Sequence, residues 1–200
     1  MTERAPRLAS AANLLGVLRI AATPVVMALL LLPAPGTGLG AFVIFAIAAA
    51  TDFFDGRIAR ARDEVSPLGI FMDLVADKVL VAGVLIAMVA IELVPAWMAA
   101  TIVIREFVVQ SIRQLAAAQN TVISAAPMGK AKTLTTLAGL ALLALGSEPT
   151  AAGDVLSAVR LAGFWTMVVA TILTVTSGIA YLRDAWPLLV GRGPGASDDG

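Results

Sequence analysis

Hydrophobic residues fall along this chain in long runs rather than in the short alternations of strands. Polar and turn-forming residues break the sequence at Pro33-Ala-Pro-Gly, at 57–67, at 92–95, at 119–132 and at 146–154. Between the breaks lie six apolar segments, roughly 14–33, 39–56, 69–91, 95–116, 133–147 and 160–182. Most approach the ~20 residues a helix needs to cross a bilayer. The pattern predicts an all-α integral membrane protein with six transmembrane helices, in one domain over 1–190. The Gly-, Ser- and Asp-rich stretch 191–200 reads as a flexible tail. The first run, from Leu14 to Leu32, is too long for the apolar core of a cleaved signal and reads as a retained helix.

Composition agrees: 59% of residues are hydrophobic, only 14% charged, and the mean hydropathy is +0.91. Fourteen basic residues balance fourteen acidic ones, so there is no footprint for a nucleic-acid partner. Cysteine and histidine are both absent. That removes thiolate catalysis, imidazole bases and zinc sites built on either residue.

Basic residues also orient the chain. Arg4, Arg7, Arg57, Arg60, Arg62, Arg113, Lys130, Lys132, Arg183 and Arg192 flank one set of span ends, whereas Arg160 alone flanks the other. By the positive-inside rule both termini are cytoplasmic, in a multi-pass protein of the cell's inner (plasma) membrane. Trp97, Trp165 and Trp186 sit near span ends as interfacial anchors, and residues 1–12 read as a short surface helix.

Against this apolar background stand four aspartates in the pattern D-x2-D-G-x2-A-R-x8-G-x3-D-x3-D: Asp52, Asp55, Asp73 and Asp77. Carboxylates within spans are costly and mark functional sites. Asp52, Asp55, Gly56 and Ala59 share one helix face, as do Gly69, Asp73 and Asp77 on the next helix. If the two helices face each other, the carboxylates converge, and their repulsion is relieved by a divalent cation. An all-oxygen donor set favours Mg, Mn or Ca. Small residues at Gly56, Ala59 and Gly69 leave room for a ligand or for close helix packing, and Arg60 and Ser66 stand where a phosphate could be held. The competing reading is a charge network closed internally by Arg57, Arg60 and Lys78.

The 26 residues from Asp52 to Asp77 match, at every defined position, the signature of the CDP-alcohol phosphatidyltransferases. These membrane enzymes move a phosphatidyl group from CDP-diacylglycerol to an alcohol and release CMP. The resemblance implies a bundle like theirs and two Mg2+ (or Mn2+) ions ligated by Asp52, Asp55 and Asp73, with Asp77 completing the site and accepting the proton. It also implies CDP-diacylglycerol contacts from Gly56, Arg60 and Ser66, with Gly69 beside them, and a homodimer.

Three further segments resemble the bacterial glycerol-phosphate branch of that family: Asn13–Ile20 with Pro24, Ile104-Arg105-Glu106 with Arg113, and 129–133. Gly16 departs from them, standing where a threonine is usual. Glycerol 3-phosphate is therefore the expected acceptor, with inositol phosphate or phosphatidylglycerol as alternatives. Arg105, Arg113, Lys130 and Lys132 form the expected basic pocket for the acceptor phosphate, unless Arg105–Glu106 is a structural pair and the lysines are anchors. Glu106, Gln110 and Arg113 make a polar stripe expected to face inward. Arg19 either reaches a donor or headgroup phosphate or snorkels to the interface. From another class, a cation or proton transporter would explain costly aspartates but not the glycine and arginine framework around them.

Overall fold

The computed structural model describes residues 11–61, 67–119, 121, 127–148 and 154–190; within these, the side chains of 11–13, 52–61, 67–70, 73 and 127–128 are not among those described. Six helices account for nearly all of it: α1 (Ala11–Leu31), α2 (Thr37–Ala61), α3 (Pro67–Ala90), α4 (Ala96–Ala118), α5 (Pro127–Gly146) and α6 (Asp154–Leu189). Each predicted span has its helix, but three helices outrun their apolar runs. α2 continues through the basic stretch to Ala61, where alanine and arginine keep the propensity high. α5 starts at Pro127, because proline suits a first helical turn. α6 grows to 36 residues, with Asp154 in its first turn. The expected surface helix over 1–12, Ser66 and the tail 191–200 lie largely or wholly outside the described residues.

Polarity is distributed inside out. Leu14, Ile47, Ile86, Leu134, Ile172 and Trp186 are among many large apolar side chains left more than half exposed. Arg19, Lys132, Thr136, Thr174 and Ser177, by contrast, are buried. Water would penalise both features; apolar surroundings favour both. Among the described residues two helices, α1 over Leu14–Leu31 and α6, are long and apolar enough to cross a membrane. In α3, α4 and α5 the apolar run is interrupted by charged residues, several of which turn into the bundle.

Small residues set the helix crossings. A Cβ on Gly83 would lie 2.5 Å from Thr23 Cγ2, and one on Gly16 would lie 3.3 Å from Met72 Cβ, so α1 and α3 run side by side in parallel. Gly139 faces Met167, Gly163 faces Leu143 and Gly146 faces Arg160, which makes α5 and α6 an antiparallel pair in close contact. α1 also packs on α2, α2 on α5, and α4 on α6. Phe45, Leu80, Leu85, Met88, Met98, Ile102, Leu140 and Met167 fill the main core, and Val109, Ile112, Tyr181 and Ala185 form a second cluster between α4 and α6.

The N-terminus of α2 is tied down from a distance. Glu148, just after α5, accepts hydrogen bonds from Gly36 N (2.7 Å) and Leu39 N (3.2 Å). These amides lack helical partners, and a carboxylate both satisfies them and complements the helix dipole. Gly36 has φ +82°, and a Cβ on Gly38 would lie 2.6 Å from Glu148 N. Both glycines are required for this approach.

Candidate active site

α3 starts after a proline and carries Asp73 and Asp77 one turn apart, so both stand on one face. Asp77 is one-third exposed, and its Oδ2 lies 3.5 Å from Lys78 Nζ. α2 carries Asp52, Asp55, Gly56 and Arg60 in its C-terminal half, and α3 carries Gly69 in its first turn. Among the described residues no group of three or more metal-ligating side chains occurs. The expected cluster has only Asp77 within that set, since the side chains of Asp52, Asp55 and Asp73 are outside it.

Next to Asp77 opens a cleft between α3, α4 and α5. Its polar wall is Asp77, Lys78, Glu106, Lys132, Thr133 and Thr136; its apolar wall includes Val81, Ile102, Phe107 and Leu137. Glu106 organises the polar side. One carboxylate oxygen accepts from Lys78 Nζ, and the other from Lys132 Nζ and from Arg105 Nη1, the last at 2.9 Å. Arg105 in turn donates through Nη2 to Ser177 Oγ on α6 at 3.1 Å. Its Cγ lies 3.1 Å from where a Cβ on Gly178 would stand, so a larger residue would press on it.

Two lysines and two carboxylates thus line one cleft, with Arg105 behind Glu106 as a third cation. Such charges are tolerable away from water only when paired and hydrogen-bonded, and Glu106 supplies that pairing. A lysine ammonium has three donors. Lys78 and Lys132 each donate one to Glu106, and Lys78 also faces Asp77 at 3.5 Å, which leaves donors on both for a ligand in the cleft. This arrangement suits an anion with several oxygens, held beside a carboxylate able to take a proton.

Of Arg105, Arg113, Lys130 and Lys132, expected together around the acceptor phosphate, Lys132 alone lines this cleft. Lys132 is in the cleft, but Lys130 is exposed: two residues along a helix is a rotation of about 200°, which puts the lysines on opposite sides of α5. Arg113 is also exposed and stacks on the Tyr181 ring, 5.5 Å from its centroid. Seven residues beyond Glu106 on α4, it stands about 10 Å further along the helix. Arg105 reaches the site only as a brace on Glu106. Arg19 is 2% exposed, inside the bundle next to an apolar pocket between α1 and α2, so it does not snorkel. Lys78 and Glu106 also line the cleft; the sequence placed Lys78 in a competing charge network and Glu106 on an inward polar stripe, and assigned neither to the acceptor. Their signal was present, since both are charges set within apolar spans.

A family model for the CDP-alcohol phosphatidyltransferases matches residues 9–176. A Bacillus subtilis CDP-diacylglycerol–glycerol-3-phosphate 3-phosphatidyltransferase is 33% identical over 193 residues, covering 88% of this chain and 95% of its own. The Pseudomonas fluorescens protein of that name is 36% identical, covering 88% of this chain and 90% of its own. A cardiolipin synthase (CMP-forming) from Oryza sativa subsp. japonica is 30% identical; the match covers 92% of this chain and 60% of the rice protein.

Proposed function

The chain belongs to the CDP-alcohol phosphatidyltransferase family, and from that premise we propose that it transfers a phosphatidyl group from CDP-diacylglycerol to glycerol 3-phosphate, releasing CMP. The observation that carries the acceptor assignment is the pairing of Lys78 and Lys132 on Glu106 in the cleft that also contains Asp77. The names of the Bacillus and Pseudomonas relatives support the same acceptor.

In this reading the acceptor's phosphate rests on Lys78 and Lys132, and its free hydroxyl points toward Asp77. Asp77 takes the hydroxyl proton as the oxygen attacks the phosphorus that bears diacylglycerol. The new P–O bond forms as the bond to CMP breaks, with no covalent enzyme intermediate. Val81, Ile102 and Phe107 on the apolar wall limit water, a competing acceptor. Asp52, Asp55, Asp73 and Asp77 are the residues to hold divalent metal, a set of oxygen donors that fits Mg or Mn. Two such ions, when bound, offset charge on the diphosphate. Gly56, Arg60, Ser66 and Gly69 take the CDP end of the donor.

The same proposal holds the protein to be a single six-span domain over 1–190 with a tail, acting as a homodimer. Both termini and the active site face the cytoplasm, as the basic span ends favour. A second reading, phosphatidylglycerol as acceptor, draws on the rice relative. CMP release by the purified protein with CDP-diacylglycerol and Mg2+ separates them. Stimulation by glycerol 3-phosphate and not by phosphatidylglycerol or inositol phosphate is expected. Stimulation only by phosphatidylglycerol would transfer the assignment to the second reading, and only by inositol phosphate would replace both.

A further inference from the structure

We infer that Glu106 is a positioning residue for the acceptor: it clamps Lys78 and Lys132 at the spacing one phosphate group can bridge, and it is itself held in register by Arg105 and Ser177 on α6. The inference rests on the phosphate seat proposed above and adds what builds that seat.

The two lysines come from α3 and α5, which touch each other sparingly compared with the α1–α3 and α5–α6 pairs. Helix packing alone therefore does little to fix the distance between their ammonium groups. Left to themselves the two like charges would move apart. Glu106, on the intervening α4, takes one lysine on each carboxylate oxygen. A carboxylate and a phosphate present oxygens at similar spacing, so a lysine pair that straddles one on its inner side can straddle the other on its cleft side. Unpaired, Lys132 would be a cation with a side chain only 5% exposed; paired, it keeps donors for a ligand.

The clamp has its own support. Arg105 Nη1 holds Glu106 Oε1, while Nη2 holds Ser177 Oγ, itself 4% exposed. Gly178, beside Ser177, is the gap through which the arginine stem passes. The chain of contacts from the cleft through Glu106 and Arg105 to Ser177 links α3, α4, α5 and α6 at one level of the bundle.

The test is steady-state CMP release by the purified full chain, titrating each substrate with the other saturating, for Glu106→Gln, Glu106→Asp, Ser177→Ala and Lys78→Met. Glu106→Gln is expected to raise the KM for glycerol 3-phosphate about tenfold or more, the range of a lost charge-assisted contact. The KM for CDP-diacylglycerol should stay within about twofold, and Glu106→Asp should recover part of the loss. Ser177→Ala lies outside the cleft and should raise the acceptor KM alone by a smaller factor; it decides the matter if Glu106→Gln does not fold. If Lys78→Met raises the acceptor KM but the Glu106 and Ser177 variants do not, the clamp is wrong and the phosphate seat stands. An unchanged acceptor KM in all of them overturns the seat itself. Parallel rises in both KM values would make Glu106 a structural residue only.

Discussion

Lys132→Met, set against Lys130→Met, separates a buried phosphate ligand from a surface charge two residues away. Lys132 is 4% exposed and points into the cleft, whereas Lys130 is exposed on the other side of α5. A hydrogen bond to a charged group contributes about 1.5–3 kcal/mol. At about 1.4 kcal/mol per factor of ten, removing Lys132 should raise the KM for glycerol 3-phosphate by roughly 10- to 150-fold. Methionine fills most of the vacated volume, and Glu106 still has Lys78 and Arg105, so no buried carboxylate is left unpaired. The accompanying loss of stability should accordingly be about 1–2 kcal/mol, below the cost of orphaning a buried charge. Lys130→Met should change the acceptor KM less than twofold, as expected for an exposed cation. The assay is initial-rate CMP release with glycerol 3-phosphate varied at saturating CDP-diacylglycerol, then the converse. Equal effects from the two lysines, or a donor KM that moves as far as the acceptor KM, would refute the reasoning.

Other outcomes follow from the same geometry. Asp77→Asn should retain CDP-diacylglycerol binding, measured by protection against thermal unfolding, while CMP release falls by at least a hundredfold, the range for a lost general base; turnover near the parent rate would remove Asp77 as base. Gly83→Ala places a methyl 2.5 Å from Thr23 Cγ2 and should cost about 1–3 kcal/mol, read as a lower unfolding midpoint in detergent. A midpoint within error of the parent would mean that α1 and α3 can separate freely. Glu148→Ala strips two amides at the start of α2 of their acceptor and should cost about 1 kcal/mol with both KM values unchanged.

The helices were legible because each apolar run is closed by proline, glycine or charge, and a span needs nothing else to declare itself. Their ends were not. Hydropathy stops reporting where the chain leaves apolar surroundings, yet backbone hydrogen bonding carries α2 on to Ala61 and α6 back to Asp154. The misplaced start of α5 had a chemical consequence. With 119–132 read as a break, Lys130 and Lys132 looked like equivalent loop cations; once the helix begins at Pro127, its rotation sends them opposite ways. The aspartate motif was legible because its partners are spaced by helical turns on two successive segments. The clamp was not, since Glu106 meets Lys78 and Lys132 across 28 and 26 residues. Only the packing of three helices brings such partners together.

The length of α6 means that in a bilayer this protein would fold in two solvents at once. Thirty-six residues at ~1.5 Å each make a rod of about 54 Å. A hydrocarbon core is about 30 Å thick, and even a steep 40° tilt leaves roughly 10 Å of the rod projecting beyond it. The C-terminal end of α6, where exposed Arg183 and Asp184 lie close to the small cluster of Val109, Ile112, Tyr181 and Ala185, suits the projecting part. Inside the lipid, close packing at residues such as Gly83 and Gly139 provides the cohesion, because oil gains nothing by leaving oil. At the projecting end, expulsion of water from apolar surface becomes available again as a driving force. Urea should therefore loosen the far ends of α4 and α6 while the glycine-stitched helices remain together. Detergent chain length should act on the opposite half of the molecule.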